Sequence, residues 1–159
     1  MCLVLDVNSF HRMFDSTSVG YAEFTPLRKW LYDRQKKTSL VIGGTTYRQE
    51  LRKLSKYLKF ISELRRVRKV IFVRDDVVDA EEKRVSGIVN QKAFDDPHIV
   101  GLFCASGCIV FASYDKRADH YIKMKTLYPK GQQRPKIFRC KKNVSMLCDE
   151  SIVPIRNAT

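Results

Sequence analysis

Four short stretches of the chain are apolar at every position: Leu3-Val4-Leu5, Leu40-Val41-Ile42, Val70-Ile71-Phe72-Val73 and Ile109-Val110-Phe111-Ala112. A strand with one face in water alternates polar and apolar side chains. A strand that never alternates is covered on both faces. Helical patterns separate these stretches. Strands of this kind alternating with helices predict a three-layer α/β/α fold around a central parallel sheet of four or five strands. At 159 residues the chain has the size of one domain with a substantial core, so residues 1–159 are read as a single domain, frayed after about residue 153.

Strands are expected at residues 2–7, 39–42, 70–73 and 108–112, with late strands at 136–138 and 144–147. A helix over residues 9–14 takes Asn8 or Ser9 as its cap. Another opens at Thr25-Pro26, with proline in the first turn. From Thr45 a long helix carries Leu51, Leu54, Leu58, Ile61 and Leu64 at steps of three and four, one buried face. Arg52, Lys53, Lys56, Lys59, Arg65 and Arg66 fall largely off that face. A charged helix or helix pair follows over 75–93. A short apolar helix then opens at Asp95-Asp96-Pro97 and ends at Gly107, and a last helix spans 116–124.

The formal net charge is +13. Such an excess favours polyanionic partners, nucleic acid first and an acidic protein second, and it also aids solubility. No apolar run approaches the roughly 20 residues of a bilayer span, and the first residues reach Asp6 too early for a signal peptide. The five cysteines, Cys2, Cys104, Cys108, Cys140 and Cys148, lack the paired spacing of a zinc knuckle. Free thiols in apolar surroundings suit a reducing, cytoplasmic setting.

Four acids fall at one predicted rim. Functional groups in an open parallel sheet gather at the carboxyl ends of the strands. Asp6 ends the first strand, Glu50 lies a turn into the helix after the second, Asp96 opens the helix feeding the fourth, and Asp115 follows the fourth. Four carboxylates that converge repel one another unless a cation neutralises them, and ligation by oxygen alone favours Mg2+ or Mn2+. Taken singly, each acid has an ordinary role as well. Asp6 and Asp96 fit helix caps, Asp115 a turn, and Glu50 the wet side of an amphipathic helix. Asp95 competes with Asp96, and Asp119 lies one helical turn beyond Asp115. His98, beside Asp96, reads as a surface or capping residue with substrate contact as the alternative, and His11 and His120 show no partners in the sequence. Tyr114 is a candidate for base stacking, whereas Trp30 sits on an apolar helix face and reads as core.

The order and setting of the acids resemble the PIN-domain ribonucleases. Leu3-Val4-Leu5-Asp6-Val7-Asn8 is similar to that family's opening motif. Leu40-Val41-Ile42 followed by Tyr47-Arg48-Gln49-Glu50-Leu51 is similar to the second. Asp95-Asp96-Pro97-His98-Ile99-Val100-Gly101-Leu102 is similar to the third, and Ile109 through Asp115 to the fourth, a strand leading into Ser-x-Asp. The resemblance implies a metal-dependent endoribonuclease in which Asp6, Glu50, Asp96 and Asp115 hold Mg2+ or Mn2+, with Asn8, Ser113, Asp95 and Asp119 as helpers. RNA binding is then expected at Arg48, Arg52, Lys116, Arg117, Lys136 and Arg139. The resemblance also implies a toxin or RNA-processing role, an acidic antitoxin-like partner, and a homodimer. The rival reading is a PIN-like module that binds RNA or protein without cutting.

Overall fold

The computed structural model describes residues 2–89, 92, 94–148 and 153–159. Five strands, β1 (Cys2–Leu5), β2 (Ser39–Gly43), β3 (Val70–Val73), β4 (Val110–Ala112) and β5 (Lys136–Phe138), form one sheet in the order β3-β2-β1-β4-β5. Every neighbouring pair is parallel. All residues of β1, β2 and β4 are buried, so both faces of the sheet are covered and the fold is α/β/α. The helices are α1 (Phe10–Phe14), α2 (Thr25–Tyr32), α3 (Thr45–Lys53), α4 (Leu58–Arg66), α5 (Asp75–Ile88), α6 (Pro97–Ser106) and α7 (Asp119–Ile122). Among the described residues, no helix is long and apolar enough to cross a membrane.

The strand order places the site. From β1 the chain steps outward to β2 and β3, then returns to the other side of β1 to lay down β4 and β5. The reversal lies between β1 and β4, and this switch point opens a crevice beyond their carboxyl ends. Leu5 and Ala112 are in register as the last residues of those strands, so Asp6 and Ser113 emerge side by side.

Several sequence expectations need correction. The long helix from Thr45 is two helices, because the backbone leaves the helical region at Leu54 (φ −97°, ψ 49°) and a 3-10 turn follows at Ser55–Tyr57. The turn delivers Tyr57 into an aromatic cluster with Phe10 and Phe14, and Phe60 stacks on Phe14 at 5.0 Å. Such ring pairs each contribute about 0.5–1.5 kcal/mol beyond area burial. Apolar spacing runs unbroken through the kink, so periodicity alone does not reveal it. Residues 144–147 lie in or just after a 3-10 helix, Lys141–Met146, rather than a strand. The last helix shrinks to Asp119–Ile122. The charged helix is a single one ending at Ile88, and its expected continuation to Ala93 falls partly outside the described residues.

The tail is not frayed at residues 156–159. Arg74 N donates to Asn157 O and Thr159 N to Phe72 O, so the tail pairs with the outer edge of β3. Asn157 Nδ2 and Arg156 N also donate to Ala105 O and Ser106 O, carbonyls in the last turn of α6. An edge covered in this way offers no template for foreign strands.

Helix α6 is buried along its whole length, all ten residues. Gly101 makes this possible. A Cβ there would meet Glu82 N at 2.8 Å and Val78 O at 3.0 Å, so only glycine lets α5 lie against α6. His98 is buried with the rest at 2% exposure, contrary to the surface or capping role expected for it. Trp30 is buried as expected.

Candidate functional site

Asp6 leaves β1 as a cap. Its Oδ1 accepts Asn8 N at 2.9 Å, which closes the 3-10 turn Val7–Ser9. Ser9, one of the two residues expected there, takes the N-cap position of α1, but its side chain makes no capping bond. Ser9 instead accepts Tyr114 N with its hydroxyl, and thereby joins the loops after β1 and β4. The second carboxylate oxygen of Asp6 takes the Ser113 hydroxyl at 2.6 Å. Ser113 Oγ also accepts Asp115 N at 3.1 Å, so one hydroxyl fixes both acids at the switch point. Burial pushes the Asp6 carboxyl above its ordinary pKa, and the charges of Asp115 and Glu50 push the same way against the two hydrogen bonds.

Glu50 arrives on α3. Gly44, at φ 86°, turns the chain from β2 into that helix and donates its N–H to Asp75. A side chain at that φ is strained, and a Cβ would lie 2.5 Å from Val78. Tyr47, fully buried, gives its hydroxyl to Leu5 O at 2.6 Å, beside Asp6. Residues three apart share a helix face, so the anchor at Tyr47 brings Glu50 to the same rim. Glu50 Oε2 lies 3.2 Å from His98 Nε2. That contact holds the Glu50 carboxyl below its ordinary range, and burial opposes it.

Asp96 stands at the start of α6, where its side chain makes no capping bond. Burial lifts its pKa to about 6, and Asp95, Asp6 and Glu50 add to the rise, with His98 opposing. The positive end of a helix dipole favours the anion there, yet desolvation outweighs it. His98 moves upward: burial lowers it, while contact with Glu50 and the charges of Glu50, Asp96 and Glu82 prevail.

The four expected acids therefore occupy one rim within electrostatic reach of one another. They do not form one set of ligands. Among the described residues, no three His, Cys, Asp or Glu side chains are grouped tightly enough to hold a metal. Asp115 is engaged by Arg117 through two nitrogens at 2.6 and 2.8 Å, which holds its carboxyl below the usual range. Asp119 is not free to help. One guanidinium nitrogen of Arg139 reaches both its oxygens at 2.6 and 2.7 Å. Asp95 and the Asn8 side chain face solvent.

The expected RNA-binding cations divide in the same way. Arg139 is structural, because it also donates to Tyr114 O at 2.8 Å. Arg48 is paired with Asp75 at 2.8 Å. Lys136 starts β5, opposite Val110, and so lies at the amino end of that strand, away from the rim. Arg52, Lys116 and Arg117 are exposed. The Tyr114 ring carries the Arg12 guanidinium 4.1 Å from its centre and meets His11 edge-on.

Sequence reasoning gave no role to Tyr47 or Glu82, and it weighed His98 as a substrate contact or a surface or capping residue without its pairing to Glu50. One signal for His98 was present: it is the sole basic side chain in the ten-residue segment of α6, which is otherwise apolar or small. No family model, curated protein or solved structure matches the chain.

Proposed function

We propose that the chain is a metal-dependent endoribonuclease of the PIN type, acting at the carboxylate rim between β1 and β4. The observation that carries this reading is the Ser113 bridge, which ties the Asp6 carboxylate to the backbone of Asp115 at the switch point of a parallel sheet. Half-buried carboxyls pushed up in pKa by desolvation, with neighbouring charges adding to the rise, are groups whose charge a cation would stabilise. One or two of Asp6, Glu50 and Asp96 would hold Mg2+ or Mn2+, with Asp115 beside them. Mg2+ needs only one or two carboxylates, with water and substrate phosphate completing its shell.

A divalent ion bound there supplies Lewis-acid stabilisation of charge on the phosphodiester and a more acidic water. The chain's own groups do the rest. Ser113 orients Asp6, and Tyr47 fixes the Leu5 carbonyl next to it. Arg117 sits on Asp115 in an exposed pair, which is weak and readily exchanged for a phosphate. Arg52 and Lys116 extend the positive surface that an RNA backbone would follow. The excess of +13 suits RNA and equally an acidic protein that silences the site.

The test is cleavage of end-labelled single-stranded RNA in Mg2+ or Mn2+. Wild type should cut, chelation should abolish cutting, and Asp6→Asn should slow it at least a hundredfold while circular dichroism stays unchanged. A second reading is favoured by the Asp115–Arg117 and Asp119–Arg139 pairs, which neutralise two of the acids from within. On that reading the domain binds RNA or protein without cutting. Salt-sensitive RNA binding with no cleavage in either metal would replace the first reading by the second.

A further inference from the structure

Between Asp119 and Asp149 the sequence holds eight lysines and arginines and no Asp or Glu. Two of the eight are engaged by acids elsewhere, Arg139 by Asp119 and Lys141 by Glu23. Lys123, Lys125, Arg134 and Lys136 are exposed and form no ion pair among the described residues. All four line one open groove of about 640 Å3, and Gln132, Gln133 and Pro135 complete its walls. Like charges around a concavity focus their field, and a polyanion relieves their repulsion.

The groove has a fixed shape. The Gln132 amide donates to Phe103 O at 2.8 Å and accepts from the Arg156 guanidinium at 2.6 Å. Arg134 Nη1 donates to Lys123 O at 3.1 Å, which ties together the two segments that form the groove. Lys136 opens β5 opposite Val110, the first residue of β4, so the groove lies at the amino ends of these strands. Helix α6 spans the gap to the rim: Asp96 stands at its start, and Phe103 near its end holds Gln132. Its ten residues measure about 15 Å.

The lining also selects the partner. Apart from Pro135, which is buried, no aromatic or aliphatic side chain lines the groove. A protein partner needs such anchors at the centre of an interface. A phosphodiester backbone needs none, because Lys and Arg neutralise its phosphates and release counterions. We propose that this groove is a second RNA-binding surface, which holds the backbone of a single-stranded RNA at the end of the sheet opposite the carboxylate rim. The proposal rests on the RNA reading above and not on cleavage.

The test is fluorescence anisotropy of a labelled single-stranded RNA on the full chain, in chelator so that nothing is cut, over a range of salt. Lys123→Gln, Lys125→Gln and Lys136→Gln combined should weaken binding at least about tenfold at low salt and flatten the slope of log K against log salt by about 2, at roughly 0.7 per phosphate contact. Lys29→Gln, Lys59→Gln and Lys83→Gln combined remove the same charge from exposed sites on α2, α4 and α5 and should weaken binding less than about threefold. Equal losses in the two triple variants reduce the effect to bulk charge and overturn the groove. Lysine acetylation of the wild type, read by mass spectrometry, decides the question even where a variant fails to fold. RNA should shield Lys123, Lys125 and Lys136 and leave Lys29, Lys59 and Lys83 reactive, and the absence of shielding overturns the proposal. Single-stranded DNA or polyglutamate that binds more tightly than RNA, with that binding lost in the groove variant, overturns the choice of RNA. RNA cut at the rim while the groove variant binds as wild type overturns the groove alone, and folded wild type that binds no RNA overturns both readings.

Discussion

Asp96→Asn should stabilise the metal-free protein at neutral and alkaline pH. The structure supplies the magnitude. Asp96 lifts its carboxyl from an ordinary 3.8 to about 6 because folding strips it of water among Asp95, Asp6 and Glu50. A tenfold change in proton affinity corresponds to about 1.4 kcal/mol, so the charged side chain opposes folding by at most about 3 kcal/mol. The carboxyl keeps part of its hydration, which reduces the expected figure to about 1–2 kcal/mol. The sign follows from linkage. The folded state holds the proton more tightly, so the favourable contribution is fully present below pH 3.8 and is lost as pH rises through about 6. Asparagine has the same shape without the charge, and no capping bond is lost with the carboxylate. Urea denaturation in chelator, followed through buried Trp30, measures it: the variant should exceed wild type by about 1–2 kcal/mol at pH 8, and the two curves should converge as pH falls toward 4. Added Mn2+ should reverse the ranking, because an ion that binds only the folded wild type stabilises it by mass action. A variant no more stable than wild type at pH 8, or a gap that ignores pH, refutes the claim that Asp96 is a desolvated, uncompensated charge.

Two further predictions concern the frame. Gly101→Ala places a methyl group against the backbone of α5 and should cost about 1–3 kcal/mol, lowering Tm by roughly 3–10 °C in a calorimetric scan; an unchanged Tm would mean that the two helices do not touch as described. Tyr47→Phe removes a buried hydroxyl from the Leu5 carbonyl and should cost about 1–2 kcal/mol by urea titration, and a neutral result would show that water replaces the bond without loss.

The layered architecture was legible because fully buried strands leave an unmistakable trace, apolar residues with no alternation. The rim was legible in part for a related reason: each acid directly follows or precedes an element whose end is marked by composition, as Asp6 follows Leu5 and Asp96 precedes Pro97. What sequence left dark is pairing across space. Nothing near Asp119 points to Arg139, twenty residues on, and nothing near Arg48 points to Asp75, so two expected RNA contacts proved to be internal ion pairs. The kink at Leu54 kept the apolar period and so hid in it. The tail looked loose because its short polar sequence has no period, yet its backbone is tied to Phe72, Arg74 and Ser106. His98 was misplaced because local composition does not report that α6 is enclosed on every side.

The glycine contact that locks α6 divides the rim into a stiff half and a compliant half. Asp96 and His98 are cast with the core, as Asp6 is with β1, while Lys116, Arg117 and the Tyr114 ring ride on a solvent-facing loop. Substitutions in that loop should then come at little cost to folding. The opposite wall has less room, because any side chain larger than hydrogen at Gly101 meets the backbone of α5.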